Sequence, residues 1–269
     1  MNIIQPFKIA LIFAILITIV NGMKHRLLYH PDRKVFNKKP DQVQEIFIRN
    51  RNGNRLCAWY YPAGEGTKLV IFAHGNAGNL TYRETFMNQF RAHSVSFIFF
   101  DYRGFGKSTG YSTINSSVTD TEDWYTYAIN KLNYKKEDIV SVGESIGSYP
   151  AAKLAEKHEL DKLVILYGLH SLALTVKHMM PLLYPLIYIF VFNDLHVGDV
   201  LKKYKGNTLL LHSKTDELVH YDNALNNLEV KKMTDEDNNT YGTTKLVEIQ
   251  GGHNSPIIDW ETVINFIKK

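Results

Sequence analysis

The stretch IVSVGESIGS, residues 139–148, decides how this chain is read. It opens on a short, largely β-branched run and ends on Gly143-x-Ser145-x-Gly147, after which residues 148–158 carry helical spacing. A serine on so sharp a strand-to-helix turn takes strained backbone angles, and its hydroxyl then stands clear of the sheet. Residues two before and two after crowd that turn, where glycine has no Cβ to clash. The helix that follows points its N-terminus toward charge developing beside the serine. The glycine-serine-glycine spacing alone arises often by chance; its place between a strand and a helix gives it weight.

Working outward, short apolar runs recur at 68–73 (KLVIFA), 95–100 (VSFIFF), 163–167 (LVILY), 208–211 (TLLL) and 246–249 (LVEI). Segments with helical spacing occupy 82–93, 116–132, 148–158, 222–230 and 256–267. Short buried strands alternating with helices predict an α/β domain, its mainly parallel sheet covered by helices on both faces. Ahead of them, 43–49 alternates apolar and polar, Asn52-Gly53 signals a tight turn, and 55–61 returns, so the domain opens on an antiparallel hairpin.

In such a sheet, ligands bind along the edge formed by the C-terminal strand ends. His74-Gly75-Asn76 follows the first buried run, Asp101-Tyr102-Arg103 the second, Ser145 the third, His212 to Asp216 the fifth and Gly251-Gly252-His253 the last. Ser145 is therefore the candidate nucleophile, His253 the base that takes and returns its proton, and Asp216 the acid that fixes the imidazole. Asp194, Asp199 and Asp222 are alternative acids, but Asp216 alone lies just past a strand end. The order Ser, Asp, His is that of the α/β-hydrolase fold. Two backbone N–H groups must meet a developing oxyanion; Ile146, after the nucleophile, and Asn76, in the first strand-to-helix loop, are the candidates. His74 reads as a structural anchor of that loop, and Asp101 and Arg103 as a pair holding the neighbouring one.

Other chemistry finds little support. Gly106-Lys107-Ser108 matches the end of a phosphate-binding loop, but Asp101 stands where that motif needs glycine. No local spacing of a metal site occurs, and neither metal nor cofactor is expected. The single cysteine, Cys57, excludes an intramolecular disulfide and a cysteine-built zinc site. A net charge of +4 with no basic stripe argues against nucleic acid as a partner.

The chain's 269 residues, 45% of them hydrophobic, suit one sizeable domain. Residues 1–23 carry IALIFAILITIV at 9–20 and read as a transmembrane anchor, with a cleaved signal peptide as the alternative. Lys24, Arg26, Arg33 and Lys34 outnumber Lys8 across that segment and favour a cytosolic domain. A linker at 24–42 leads to the α/β-hydrolase domain at 43–269. Within it, the insertion 172–200 holds MMPLLYPLIYIFVF at 179–192, too short to span a bilayer and interrupted by Pro181 and Pro185. It reads as a lid over the serine's edge, lining an acyl pocket and touching the membrane outside; a helix packed into the core is the alternative.

Together these residues resemble the membrane-anchored α/β-hydrolase domain proteins of the fungal bud-emergence and animal α/β-hydrolase domain-containing type. The likeness rests on His74-Gly75-Asn76-Ala77-Gly78-Asn79, Asp101 to Ser108, Gly143 to Gly147, His212-x-x-x-Asp216-x-x-Val219 and Gly252-His253-Asn254. It implies a Ser-His-Asp hydrolase, often membrane-anchored, some of whose relatives cleave lysophospholipids, acylglycerols or protein-bound acyl thioesters. Gly168-Leu169-His170-Ser171, where relatives more often carry a Pro-Phe pair, and Gly206-Asn207, where a proline is usual, depart from the pattern near the insertion. The expectation is a serine hydrolase of carboxylic ester or thioester bonds in lipid-like acyl substrates. A peptidase of the oligopeptidase-like type and a non-catalytic membrane-tethered scaffold are the alternatives. Oligomeric state is not legible in the sequence.

Overall fold

The computed structural model describes residues 28–191, 194–237 and 242–269. The expected anchor at 1–23 lies outside the described residues, as do Phe192 and Asn193 of the insertion. Among the described residues, no helix is long and apolar enough to cross a membrane.

Eight strands form one sheet: β1 (Gln44–Arg49), β2 (Arg55–Tyr61), β3 (Leu69–Ala73), β4 (Ser96–Phe100), β5 (Ile139–Glu144), β6 (Lys162–Leu166), β7 (Asn207–Ser213) and β8 (Thr244–Ile249). Their spatial order is β8-β7-β6-β5-β3-β4-β2-β1. β2 pairs antiparallel with both β1 and β4, and the remaining neighbours run parallel. The opening hairpin closes as its sequence requires: Gly53 takes φ +78°, and the Asn50 side chain accepts from the backbone N–H groups of Asn52 and Asn54, both at 3.0 Å.

The strands alternate in the face they serve. Leu69, Ile71, Ile98, Phe100, Leu163 and Ile165 pack on one side with the helices α2 (Ile114–Asn130) and α3 (Ser148–Lys157). Val70, Phe72, Phe97, Phe99, Val140 and Val142 pack on the other, against Met87 and Phe90 of α1 (Glu84–Ala92) and Val263, Ile264 and Ile267 of α8 (Trp260–Lys268). Each such side chain, fully buried, contributes about 1.5–3 kcal/mol of transfer free energy. Two-sided burial explains why the central strands read as continuous apolar runs and not as alternating ones. The fold is thus the α/β sandwich expected from the sequence.

The insertion forms three helices, α4 (Leu172–Met179), α5 (Tyr184–Val191) and α6 (Val197–Leu201). Its root is fixed to α7 (Asp222–Asp237), which runs on past the helix expected at 222–230. The His170 backbone N–H donates to Asn223 Oδ1 at 2.8 Å, His170 Nδ1 lies 2.9 Å from Asn227 Oδ1, and Asn227 Nδ2 donates to Leu169 O at 3.1 Å. A polar latch therefore stands at the Gly-Leu-His-Ser stretch, 168–171. The tip departs from expectation. Val191 is buried and Tyr184 and Val176 pack on the core, but Met179, Met180, Leu183 and Ile189 are exposed, as are Leu182 at 92% and Leu186 at 73%. Most of the apolar surface of the tip therefore faces outward.

Candidate active site

The sequence places β5 so that its end must turn at once into α3, and the backbone shows the cost. Ser145 sits at φ +53°, a left-handed conformation that L-residues rarely adopt. The flanking glycines permit it. A Cβ on Gly143 would stand 2.6 Å from Gly147 O, and one on Gly147 would collide with Ala73 O of β3. The turn is therefore packed onto the neighbouring strand at backbone distance.

Ser145 Oγ lies 2.9 Å from His253 Nε2, and His253 Nδ1 lies 2.7 Å from Asp216 Oδ2. The carboxylate calls for a proton on Nδ1, which leaves the Nε2 lone pair free to face the serine hydroxyl. Asp216 Oδ1 accepts from the N–H groups of Leu218 at 2.9 Å and Val219 at 2.8 Å. Burial by itself would raise this carboxyl, but hydrogen bonds from His212 and His253, with that of Val219, overcome it and hold Asp216 well below the usual carboxylate range. The alternative acids lie elsewhere: Asp199 pairs with His196 and Lys202, and Asp222 with His178 and His220.

The loop bearing His253 is tight for a visible reason. Gly251 takes φ +91° with Ser255 O where a Cβ would be, and a Cβ on Gly252 would meet Glu217 Oε2 at 2.6 Å. Glu217 Oε2 also accepts from the His253 backbone N–H at 3.0 Å, which ties the base's loop to the acid's.

On the opposite flank, the loop after β3 is stitched to the turn through Glu144. Arg83 Nε and Nη2 donate to Glu144 Oε2 and Oε1 at 2.9 and 3.2 Å, and Arg83 Nη1 donates to Ala77 O at 2.8 Å. Gly75 N–H donates to Glu144 Oε2 at 3.0 Å, so this N–H is already committed. Asn76 and Ile146 come next on the two sides. The Asn76 side chain is engaged elsewhere, its Oδ1 accepting from His30 N–H at 2.9 Å beside the short parallel contact between residues 30–31 and 77–78.

His74 is buried, as its anchoring role requires: Nδ1 lies 2.7 Å from Gly75 O, and the ring packs on Tyr102 and Phe105. Burial pushes its imidazole down to about 3, so it is neutral. The expected Asp101–Arg103 pair does not form. Arg103 Nε instead donates to Asp120 Oδ1 of α2 at 2.7 Å, while Asp101 Oδ1 accepts from Leu80 N–H at 2.7 Å. Adjacent strand-end residues point to different neighbours, and the aspartate facing Arg103 came from a helix one element later.

Arg83 and Tyr167 carried no sequence signal of their own, and Glu144 and His212 stood in motifs that gave them no role. Arg83 and Glu144 meet only after folding. His212 lies 3.5 Å from Asp216 Oδ2 with its Nε2 2.6 Å from Val219 O. Tyr167, hidden at the end of an apolar run, takes φ +37° and sets its ring edge-on to His253 at 5.2 Å. A bulky residue in that conformation is a second local strain beside the serine.

A Ser-His-Asp arrangement on this sheet edge defines the α/β-hydrolase fold, and comparisons with known proteins agree. The profile of the α/β-hydrolase fold family matches residues 68–184. The esterase Pf2001 of Pyrococcus furiosus superposes with a TM-score of 0.70 at 21% identity, covering 89% of this chain and 97% of that one. Among curated sequences, YfhR of Salmonella typhi, itself uncharacterised, is 28% identical over 151 residues, 54% of this chain and 52% of its own. The chain thus spans about half the length of that relative. Human alpha/beta hydrolase domain-containing protein 17B is 24% identical over 197 residues, 72% of this chain and 66% of its own. These matches share the α/β-hydrolase fold with this chain.

Proposed function

We propose that the protein is a serine hydrolase that cleaves carboxylic ester or thioester bonds of lipid-like acyl substrates through an acyl-enzyme intermediate. Ser145 attacks the carbonyl, His253 takes its proton and hands it to the leaving group, and Asp216 holds the imidazole and balances its charge. The backbone N–H groups of Ile146 and Asn76 stabilise the oxyanion. Water then repeats the sequence on the acyl-enzyme, releasing the acid. The observation that carries this reading is the continuous contact from Ser145 Oγ through His253 to Asp216, at 2.9 and 2.7 Å. The strained Ser145 backbone supports it, since strain of that kind accumulates where chemistry needs it.

The lipid-like substrate class rests on the outward apolar face of the insertion and on the apolar run at 9–20. We place the domain at a membrane surface, tethered by residues 1–23, with the tip of the insertion meeting the bilayer. Two measurements test the proposal. A fluorophosphonate probe should label the wild type and not Ser145→Ala. Turnover of p-nitrophenyl esters should then improve with chain length, each buried CH₂ being worth about 0.8 kcal/mol. A chain-length-independent profile, or hydrolysis of aminoacyl amides in preference to esters, would overturn the acyl assignment.

A further inference from the structure

A cavity of about 310 Å³, in whose lining Ser145 takes no part, has Asn79, Leu80 and Thr81 of the loop after β3 as one wall. Its lining carries five cations, Arg33, Lys34, Lys38, Lys39 and Lys107, against two carboxyl groups, Glu45 and Asp101. Glu45 pairs with Lys107 at 2.8 Å, and Asp101 accepts from Leu80 N–H at 2.7 Å. Arg33 Nε is held by Gly104 O at 3.4 Å and the Lys39 ammonium by Val43 O, so backbone carbonyls orient these charges without cancelling them. The basic wall is built in advance. Residues 30–36 fall within the stretch read as a linker, yet they are fastened to the domain. Asn79 Nδ2 donates to Asp32 O at 3.0 Å and to Lys34 O at 2.7 Å, Phe36 N–H donates to Thr81 Oγ1 at 2.9 Å, and Tyr82 Oη donates to Asp32 Oδ2 at 2.6 Å. The Phe36 ring stacks on Tyr82 at 4.5 Å. Even so, Val35 and Phe36 stay 59% and 67% exposed.

We propose that this cavity receives the phosphate group of an anionic phospholipid, with Val35 and Phe36 entering the interfacial layer of the same bilayer. The site lies beyond the hydrolase reading and depends on the membrane placement proposed with it. Three observations carry it. The first is charge: an excess of cations converges on a concave surface, whose walls focus the field, and ammonium and guanidinium groups both suit phosphate oxygens. The second is pattern. Arg33-Lys34-Val35-Phe36-Asn37-Lys38-Lys39 sets exposed apolar side chains between two basic pairs. A basic segment just beyond a membrane anchor meets anionic lipid in this way, whereas a free phosphate ion gives the apolar pair nothing to contact. The third is reach. Tyr29 is buried and its hydroxyl donates to Ser117 Oγ at 3.0 Å, which pins the chain to the domain. From residue 23, where the proposed anchor ends, to Tyr29 the chain spans at most roughly 20 Å. A tethered domain therefore carries the basic wall close to the headgroups. The same segment pairs through His30 and Pro31 with Ala77 and Gly78, beside Asn76. Lipid held in the cavity thus steadies one side of the proposed oxyanion site.

Full-length Ser145→Ala protein, which binds lipid without cleaving it, should be transferred from detergent to preformed vesicles of phosphatidylcholine, alone or with about one third phosphatidylglycerol. Its lysines are then acetylated with an amine-reactive reagent and read by mass spectrometry. Lys34 and Lys38 should label at least ~5-fold more slowly on the anionic vesicles. The difference should vanish near 1 M salt, where the screening length falls to about 3 Å. Lys131 and Lys135, between α2 and β5, should label alike on both kinds of vesicle. Arg33→Glu/Lys39→Glu should abolish the protection of Lys34 and Lys38, whereas Lys131→Glu/Lys135→Glu, with the same change of charge, should keep it. Equal labelling of Lys34 and Lys38 on the two vesicles would overturn the proposal, as would equal protection of Lys131 and Lys135. So would inorganic phosphate protecting Lys34 and Lys38 equally well on phosphatidylcholine vesicles, which would mark a site for a soluble phosphate. Protein recovered free of phosphatidylcholine vesicles but protected on the anionic ones would remove the tether and keep the site. A wild type that resists the fluorophosphonate probe would remove the hydrolase and leave this protection unchanged.

Discussion

Arg83 and Glu144 form a buried, two-pronged ion pair that joins the loop after β3 to the residue immediately before Ser145. The charge of Arg83 outweighs the burial of Glu144 and holds its carboxyl below the ordinary value. Glu144 also receives Gly75 N–H, so one carboxylate sets the backbone on both sides of the proposed oxyanion site. Removing the guanidinium leaves a buried, uncompensated charge. Arg83→Met should therefore destabilise the fold by about 3–5 kcal/mol in urea unfolding. It should also lower kcat more than it raises KM, because the misplaced N–H groups are needed chiefly in the transition state. An Arg83→Met enzyme with unchanged kcat would disconnect the pair from the chemistry.

Ser145→Ala should reduce ester turnover by at least ~10³-fold with little change in melting temperature. His253→Ala should be comparably inactive. Asp216→Asn should cost about 10²–10⁴-fold, since an amide offers His253 the wrong hydrogen-bond pattern. Because Asp216 is held low, it stays ionised through mild acidification, so activity lost there does not come from its protonation. Assays of Asp199→Asn and Asp222→Asn with a short ester locate the acid independently: both should retain near-wild-type rates.

Gly147→Ala tests the turn itself. Its new Cβ would collide with Ala73 O, a backbone atom of a central strand that cannot swing aside. A cost of about 1–3 kcal/mol or more is expected, with fluorophosphonate labelling slowed as Ser145 shifts. Full stability and full labelling would show the turn to be looser than its packing implies.

Burial raises the Asp101 carboxyl to about 7, despite the hydrogen bond from Leu80 and the charge of Arg83. The folded state therefore keeps a proton that the unfolded chain releases between about pH 4 and 7. This contribution is fully present below the unfolded value and is lost as pH rises through that window. Unfolding free energies at pH 5 and 7 should differ less in Asp101→Asn than in the wild type, by an amount on the order of a few kcal/mol. Equal differences in the two proteins would place the proton elsewhere.

The outward face of the insertion gives a further contrast. Leu182→Ser and Leu186→Ser, at sites 92% and 73% exposed, should leave melting unchanged while reducing adsorption of the folded domain to phospholipid vesicles. A drop in melting temperature would instead show these leucines to be covered in solution.

The order of elements and the meeting of Ser145, Asp216 and His253 were legible because they depend on local periodicity and on the rule that strand ends share an edge. The short runs at 68–73, 95–100 and 163–167 needed no tertiary information beyond burial. Pairings between distant side chains were a different matter. Arg103 could face Asp101 or Asp120, and nothing in a linear sequence separates a neighbour two residues away from one 17 residues away. Tyr167 was masked by lying in a strand-like run. The insertion misled for a physical reason as well: an apolar pattern says that a surface avoids water, but not whether protein or lipid takes its place.

The amide latch at the insertion's root has a practical corollary. His170, Asn223 and Asn227 fasten the base of this segment to α7 with hydrogen bonds that none of residues 179–190 makes. The serine edge and the greasy tip are thus held by different contacts. Exchanging residues 179–190 for another hairpin, or trimming them to a polar turn, should leave the shape of the serine edge unchanged. A graft at that point would change the surface the tip presents and leave the Ser145–His253–Asp216 contacts in place.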